Sequence, residues 1–117
     1  MTLATKHYVT FCGDDDVYDQ DAFSKIRIAI ATNPGRPLIF RVDTWSCGLV
    51  WHDEVLEVGN VDCGGFVIPN DTERLGTFSY RYEGDYDFIN GTLRGYPDGP
   101  VWRPERIQVC RPERYEK

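Results

Sequence analysis

The chain has 117 residues, of which 41% are hydrophobic and 14% aromatic, and its net charge is −6. This length and composition predict a single domain with a core of its own, which excludes an intrinsically disordered chain. An acidic surface repels phosphate backbones, so the composition also argues against direct binding of nucleic acid.

The negative charge is concentrated in the middle of the chain. Residues 1–42 hold five acids and five bases, whereas residues 43–98 hold eleven acids and three bases, a net charge of −8. Residues 99–117 are weakly basic, with a net charge of +2. A surface of this sign suits a basic protein partner, or it serves solubility alone.

The first predicted elements are a strand and a helix, separated by an acidic run. Strand-forming residues fill positions 6–12. The run that follows has five aspartates within eight residues and no base: Asp14, Asp15, Asp16, Asp19 and Asp21. So dense a charge is expected in a loop, with Asp19 or Asp21 capping a helix. Residues 22–32 fit both a helical and a period-2 pattern, and the cap and the alanines favour the helix.

Further strands are predicted in the middle of the chain. Residues 37–45 alternate as a strand, and residues 49–58 form either one strand or a strand broken near His52. Residues 66–68 are a short strand that Pro69 ends. Glycine-rich sequence connects the last two of these strands.

An aromatic meander is predicted for residues 76–96. Phe78, Tyr80 and Tyr82 alternate with polar residues, which is the pattern of a strand with one aromatic face. Asn-Gly at positions 90–91 is the strongest two-residue signal for a β-hairpin, because both positions tolerate positive φ. The sequence therefore predicts three short strands here, with aromatic rings supplying much of the core.

The last predicted strand lies around Ile107 and Val109, and residues 111–117 are expected to fray. The order of elements is then strand, helix and five or six strands. This order predicts a single α+β domain over residues 1–117, in which one helix packs on a curved antiparallel sheet or partial barrel of about five to seven strands.

The cysteines and the termini indicate the compartment and the cofactors. The four cysteines are far apart and form no CxxC pair. No signal-peptide pattern begins the chain, and no segment approaches the ~20 apolar residues of a membrane helix. We therefore expect a cytoplasmic protein with thiols and no contact with membranes. With two histidines and no close ligand pairs, neither a metal nor another cofactor is predicted.

Cys47, His52 and Asp53 offer the residue types of a cysteine nucleophile and its base. Nothing beside Cys47 predicts a lowered thiol pKa, and a buried, unreactive cysteine is the commoner case. A small enzyme built on these three residues is therefore an alternative hypothesis, and no catalytic residue is predicted.

The predicted partner-binding residues form two acidic groups. One group is the aspartate run at positions 14–21, and the other lies in the meander: Tyr82, Glu83, Asp85, Tyr86 and Asp87. Carboxylates in such density can imitate a phosphate backbone and occupy a basic groove, and tyrosines are enriched at protein interfaces. A solvated loop with a helix cap is the simpler interpretation of the aspartate run.

These features predict a small acidic binding protein, not an enzyme, that inhibits or occludes a larger complex by charge mimicry or steric block. The expected partner handles nucleic acid, because acidic runs match a groove built for phosphates. Phage-encoded inhibitors of bacterial defence, anti-CRISPR proteins among them, resemble this chain in size and charge, as do toxin-immunity proteins. A subunit of a homo-oligomeric assembly is a further alternative, and the oligomeric state is left open.

Overall fold

Two helices and seven strands make up the fold in a computed structural model of the protein. The structure describes residues 2–4, 8–11, 16–44, 48–57, 60–71, 76 and 84–110. The strands are β1 (Thr2–Ala4), β2 (Tyr8–Phe11), β3 (Asp16–Tyr18), β4 (Leu38–Thr44), β5 (Gly48–Val50), β6 (Phe66–Pro69) and β7 (Val101–Cys110). The helices are α1 (Ala22–Thr32) and α2 (Gly84–Leu93).

The strands form one curled, mixed sheet that closes into a half-barrel around β4. Their order is β1-β2-β6-β4-β7-β3, and β5 also pairs with β4. The pairing of β4 with β7 is parallel, and every other pair in this sheet is antiparallel. The predicted α+β class, with a helix on a curved sheet, is therefore confirmed. The parallel pair was not foreseen, because 56 residues lie between Thr44 and Val101 and no local pattern links the two strands.

The predicted helix at residues 22–32 is confirmed as α1. Its buried side chains are Ala22, Ile26 and Ala29, which recur at the spacing of one helical face. Asp21 occupies the predicted N-cap position, but its side chain makes no capping hydrogen bond. It pairs with Lys25 instead, at 3.1 Å. Packing of a narrow alanine-rich face, more than a strong cap, therefore holds α1 on the sheet.

The predicted meander is wrong where the structure describes it, because residues 84–93 form α2. Asn90 and Gly91 lie inside this helix and make no hairpin turn. A Cβ at position 91 would stand 3.3 Å from Gly76 Cα, so the glycine allows another segment to pass close to the helix. The predicted strand through Phe78, Tyr80 and Tyr82 lies outside the described residues.

Tertiary packing explains why residues 84–93 form a helix. Phe88 and Ile89 are buried beneath α2, and the ring centroid of Phe88 lies 5.3 Å from that of Phe11 and 6.1 Å from that of Phe66. Thr92 is also buried, and its Oγ1 accepts the Gly76 N–H at 2.8 Å. These contacts with distant segments override the local preference of Asn-Gly for a turn.

Both faces of the sheet are covered, and each face has its own core. Leu38 and Phe40 of β4 point towards α1, whereas Ile39 between them points towards α2 and the segment that follows β5. A strand buried on both faces reads as a continuous apolar run, as Leu-Ile-Phe does here. Neither helix of the described residues is long and apolar enough to cross a membrane.

The predicted strands agree with β2, β4, β6 and β7. The strand predicted for residues 49–58 is found only as β5, and residues 51–57 do not form a strand. Strand β5 ends at Val50, and the chain leaves the sheet at Trp51. It returns at a 3-10 turn, Cys63–Gly65, which leads directly into β6. Because β5 and β6 both pair with β4, the segment between them is fixed at both ends to one strand.

Candidate functional site

The described part of the predicted aspartate run is folded against β7. Asp14 and Asp15 lie outside the described residues, and Asp16 is the first residue of β3. Asp19 accepts two hydrogen bonds from Arg106, from Nε and from Nη2, both at 2.9 Å. The side chain of Asp19 is only 15% exposed. Its carboxylate is therefore committed to a contact within the protein.

Arg106 and Lys25 balance the negative charge of Asp19 and Asp21. Hydrogen bonding to Asp19 is the main reason why the pKa of Arg106 lies above its usual value, and the negative charge of Asp43 adds to the shift. The Asp43 carboxylate lies 3.9 Å from Arg106. Lys25 pairs with Asp21 and also donates to the backbone carbonyl of Arg106 at 3.0 Å. Asp19 and Asp21 thus belong to a mixed ionic network between α1, β4 and β7.

The second predicted partner-binding group also lies only partly within the described residues. Tyr82 and Glu83 lie outside the described residues, and Asp85, Tyr86 and Asp87 begin α2. Acids in the first turn complement the helix dipole. Tyr86 packs on the core beneath α2, and Asp85 accepts the backbone N–H of Cys63 at 3.0 Å. These contacts explain the helix, and the partner-binding role of the residues stays a prediction.

A different acidic surface is the segment 52–57, which we call the acidic loop. Asp53, Glu54 and Glu57 are all exposed. None of the three forms an ion pair with a lysine or arginine in the part of the chain that the structure describes. Val55 lies between them and is 46% exposed. The loop therefore presents three exposed carboxylates, without a cationic partner among the described residues, around an apolar side chain.

The side chain of Asn60 holds the acidic loop in shape. Its Oδ1 accepts the backbone N–H of His52 at 2.7 Å, and its Nδ2 donates to the carbonyls of Asp53 and Val55 at 2.9 and 2.7 Å. Asn60 itself is 8% exposed. One buried amide thus satisfies three backbone groups that the loop would otherwise leave to water.

Trp51 anchors the start of the acidic loop. It is 6% exposed, and its indole Nε1 donates to the carbonyl of Ile39 at 3.0 Å. Trp102 packs edge-on against it, with ring centroids 5.4 Å apart, and the guanidinium of Arg41 lies 4.3 Å from the ring centre. Both tryptophans therefore pack with the core beneath α2.

A second polar feature lies directly after the acidic loop, and we call it the Asp-Cys cluster. Asp62, Cys63 and Asp85 each offer a potential ligand atom, and the three atoms lie within 4.8 Å of one another. Asp62 Oδ1 accepts the N–H of Gly64 at 2.9 Å, which fixes its carboxylate at the start of the 3-10 turn. All three side chains are half-buried.

Gln108 of β7 adds a buried acceptor beside the Asp-Cys cluster. The residue is fully buried, and its Nε2 donates to the carbonyl of Phe11. Its Oε1 has no hydrogen-bond partner among the residues that the structure describes. A Cβ at Gly64 would overlap this oxygen and would stand 3.1 Å from Asp62 Oδ1. An unpaired buried acceptor costs about 1–3 kcal/mol, so its retention beside a carboxylate needs an explanation.

The alternative enzyme site stays a hypothesis, because one of its three residues is not described. Cys47 lies outside the described residues, and His52 and Asp53 are exposed at the start of the acidic loop. No hydrogen bond joins the His52 and Asp53 side chains within the described ranges. The sequence contained the signal for the acidic loop, since His-Asp-Glu interrupts the apolar pattern after Trp51, but the bracing Asn60 had no local signature.

No protein-family model, curated protein or solved structure matches the chain significantly.

Proposed function

We propose that the protein is a cytoplasmic binding protein that occludes a basic groove on a larger, nucleic-acid-handling complex. The observation that carries this proposal is the acidic loop, in which three exposed carboxylates stand on a braced backbone. Occupying a groove that normally receives phosphates would inhibit the complex by charge mimicry and by steric block.

The described acids differ in their ability to attract a partner. Asp19 and Asp21 face Arg106 and Lys25, so their fields are largely cancelled within the protein. The carboxylates of the acidic loop have no such counter-charge among the described residues, and the net charge of −6 reinforces their field. Uncancelled charge steers association and makes it sensitive to salt.

The hydrogen bonds from Asn60 to the acidic loop also favour binding. A loop that must be ordered on association loses part of the interaction free energy to conformational entropy, and a preformed loop avoids that loss. Asn60 orders the backbone of the acidic loop before any partner arrives. The exposed Val55 side chain would then be buried against an apolar patch of the partner at the centre of the interface. The proposal therefore combines electrostatic steering with a small apolar anchor.

Charge reversal at matched positions tests the proposal. The tagged protein is first used to recover partners from a nuclease-treated bacterial lysate at low and high salt, and affinity for the recovered partner is then measured. Glu54→Lys should weaken binding at least tenfold at low salt. Asp98→Lys makes the same charge change at an exposed position in another loop and should change affinity by less than threefold.

Two results would overturn the proposal. Equal losses for the two variants would show that net charge acts without the acidic loop. Recovery of a partner that high salt does not release would instead indicate an apolar interface of the kind expected for an immunity protein. Neutralising Asp14, Asp15 and Asp16 to Asn tests the share of the aspartate run, and unchanged affinity would remove that run from the binding surface.

A further inference from the structure

The Asp-Cys cluster faces a buried oxygen that ordinary protein contacts leave unsatisfied. Gln108 can orient its amide in one way only, because Nε2 donates to the carbonyl of Phe11 and the reverse orientation would set two acceptors against each other. Its Oε1 must then face Gly64 and Asp62. A buried acceptor of this kind is stabilised when a cation or a donor reaches it.

We propose that Asp62, Cys63, Asp85 and Gln108 form a binding site for one divalent transition-metal ion, with zinc as the best match. The carboxylates and the thiol supply three ligand atoms within 4.8 Å of one another, and the unpartnered Gln108 Oε1 supplies the fourth. This site is separate from the acidic loop, and it goes beyond the proposed binding function.

The ligand atoms of Asp62, Cys63 and Asp85 are close enough together to approach one ion. Zinc lies about 2.0–2.3 Å from its ligands, which places ligand atoms about 3.3–3.8 Å apart. The observed limit of 4.8 Å therefore corresponds to a contraction of at most about 1 Å on metal binding. Hydrogen bonds from the Gly64 and Cys63 backbones already orient the two carboxylates, as outer contacts do in metal sites.

The donor set selects the type of metal. Calcium and magnesium prefer oxygen ligands throughout, whereas a thiolate favours zinc and similar borderline ions. Two carboxylates and one thiolate carry three negative charges, which a divalent ion reduces to one. Binding requires loss of the Cys63 thiol proton, so affinity should increase with pH. Cys63 forms no disulfide in the structure.

Cobalt binding to a single-cysteine protein tests the site. Cys12, Cys47 and Cys110 are replaced by Ser, so that Cys63 is the one thiol left in the chain. Titration with Co²⁺ should give the near-ultraviolet absorption of a thiolate-bound cobalt ion at one ion per chain, and Zn²⁺ should abolish it. Further replacement of Cys63 by Ser should remove the absorption.

Asp87, in the same turn of α2, provides a matched control for the proposed ligand Asp85. Asp85→Asn keeps an acceptor for the Cys63 N–H but loses the charge, and it should weaken metal binding at least tenfold. Asp87→Asn makes the same change outside the cluster and should keep the affinity within threefold. Zn²⁺ should also raise the Tm of the unmodified chain and of Asp87→Asn, with a smaller rise for Asp85→Asn.

Three outcomes would overturn the inference. The first is a single-cysteine protein that gives no thiolate–cobalt absorption while circular dichroism shows it folded. The second is equal affinity of the two aspartate variants for Zn²⁺, which would indicate adventitious binding to surface carboxylates. The third is absorption that persists after Cys63→Ser.

Discussion

Replacing Asn60 with Ala should release the acidic loop while leaving the sheet intact. The substitution removes three hydrogen bonds to backbone groups of residues 52–55. At about 1 kcal/mol for each net hydrogen bond, the closed loop should lose about 2–3 kcal/mol relative to its open form, because water can partly replace the lost partners. Since 1.4 kcal/mol corresponds to tenfold, this change is roughly a thirty- to 150-fold increase in loop opening.

Amide hydrogen exchange at His52 measures this opening directly, because its N–H donates to Asn60 Oδ1. Exchange should accelerate by the factor above in Asn60→Ala, whereas amides of β4 should be much less affected. Asn60→Asp is the isosteric control: it retains the shape of Asn but turns two donated hydrogen bonds into repulsions, so its loop should open at least as readily. His52 exchange within threefold of the parent in both variants would refute the assigned brace.

Three further predictions concern the sheet and β7. Gly65→Ala should lower the free energy of unfolding in urea by about 1–3 kcal/mol, because the added Cβ would overlap the carbonyl of Phe40; an unchanged midpoint would contradict this packing. Ile107→Ala should cost about 2–5 kcal/mol in the same assay, since the side chain is fully buried under α1, and a loss below 1 kcal/mol would show that the site collapses without a cavity. Partial burial raises the pKa of Glu105, but its hydrogen bond and charge interaction with Arg103 outweigh this and bring the pKa below its usual value. A lowered pKa means that the ionised Glu105 stabilises the fold at pH values above the unfolded-state pKa of about 4.3, and this stabilisation is lost as the pH falls through the folded-state pKa. Glu105→Gln should therefore lower the free energy of unfolding by less than about 1 kcal/mol at pH 7 and should not lower it at pH 3. An equal loss at both pH values would exclude this linkage.

The elements that the sequence predicted correctly are those in which local pattern and burial agree. Strand β4 reads as an apolar run because both faces of the sheet are covered. In helix α1 the buried residues Ala22, Ile26 and Ala29 recur at helical spacing. In such segments the residue pattern reports the burial itself, so no knowledge of distant contacts is needed.

Helix α2 could not be predicted in this way because distant contacts decide its conformation. Asn90-Gly91 favours a turn in isolation, but Phe88 packs between rings from β2 and β6, and Thr92 bonds to Gly76. Only the assembled sheet supplies these partners. The local turn preference, worth a fraction of the burial free energy of one aromatic side chain, is then outweighed.

The candidate sites show the same limit for charged residues. The density of aspartates identified the run at positions 14–21, but the partner of Asp19 is Arg106, which is 87 positions away in the sequence. The Asp-Cys cluster joins residues from a 3-10 turn and α2, and Gln108 reaches it from β7. No spacing rule connects these positions. Charge density in a sequence therefore shows where acids are, but pairing in three dimensions decides which of them remain for a ligand.

The topology around β4 relates the two proposed sites. Strands β5 and β6 pair with the same strand, so residues 51–65 form one excursion that is fixed at both ends. Within it, Asn60 braces the acidic loop, and Asp62 and Cys63 follow at once. A metal ion on the Asp-Cys cluster would tie this excursion to α2 through Asp85 and would thus restrain the position of Asn60. The two proposals remain separable, because the braced loop exists without an ion, and cobalt binding is measured without a partner.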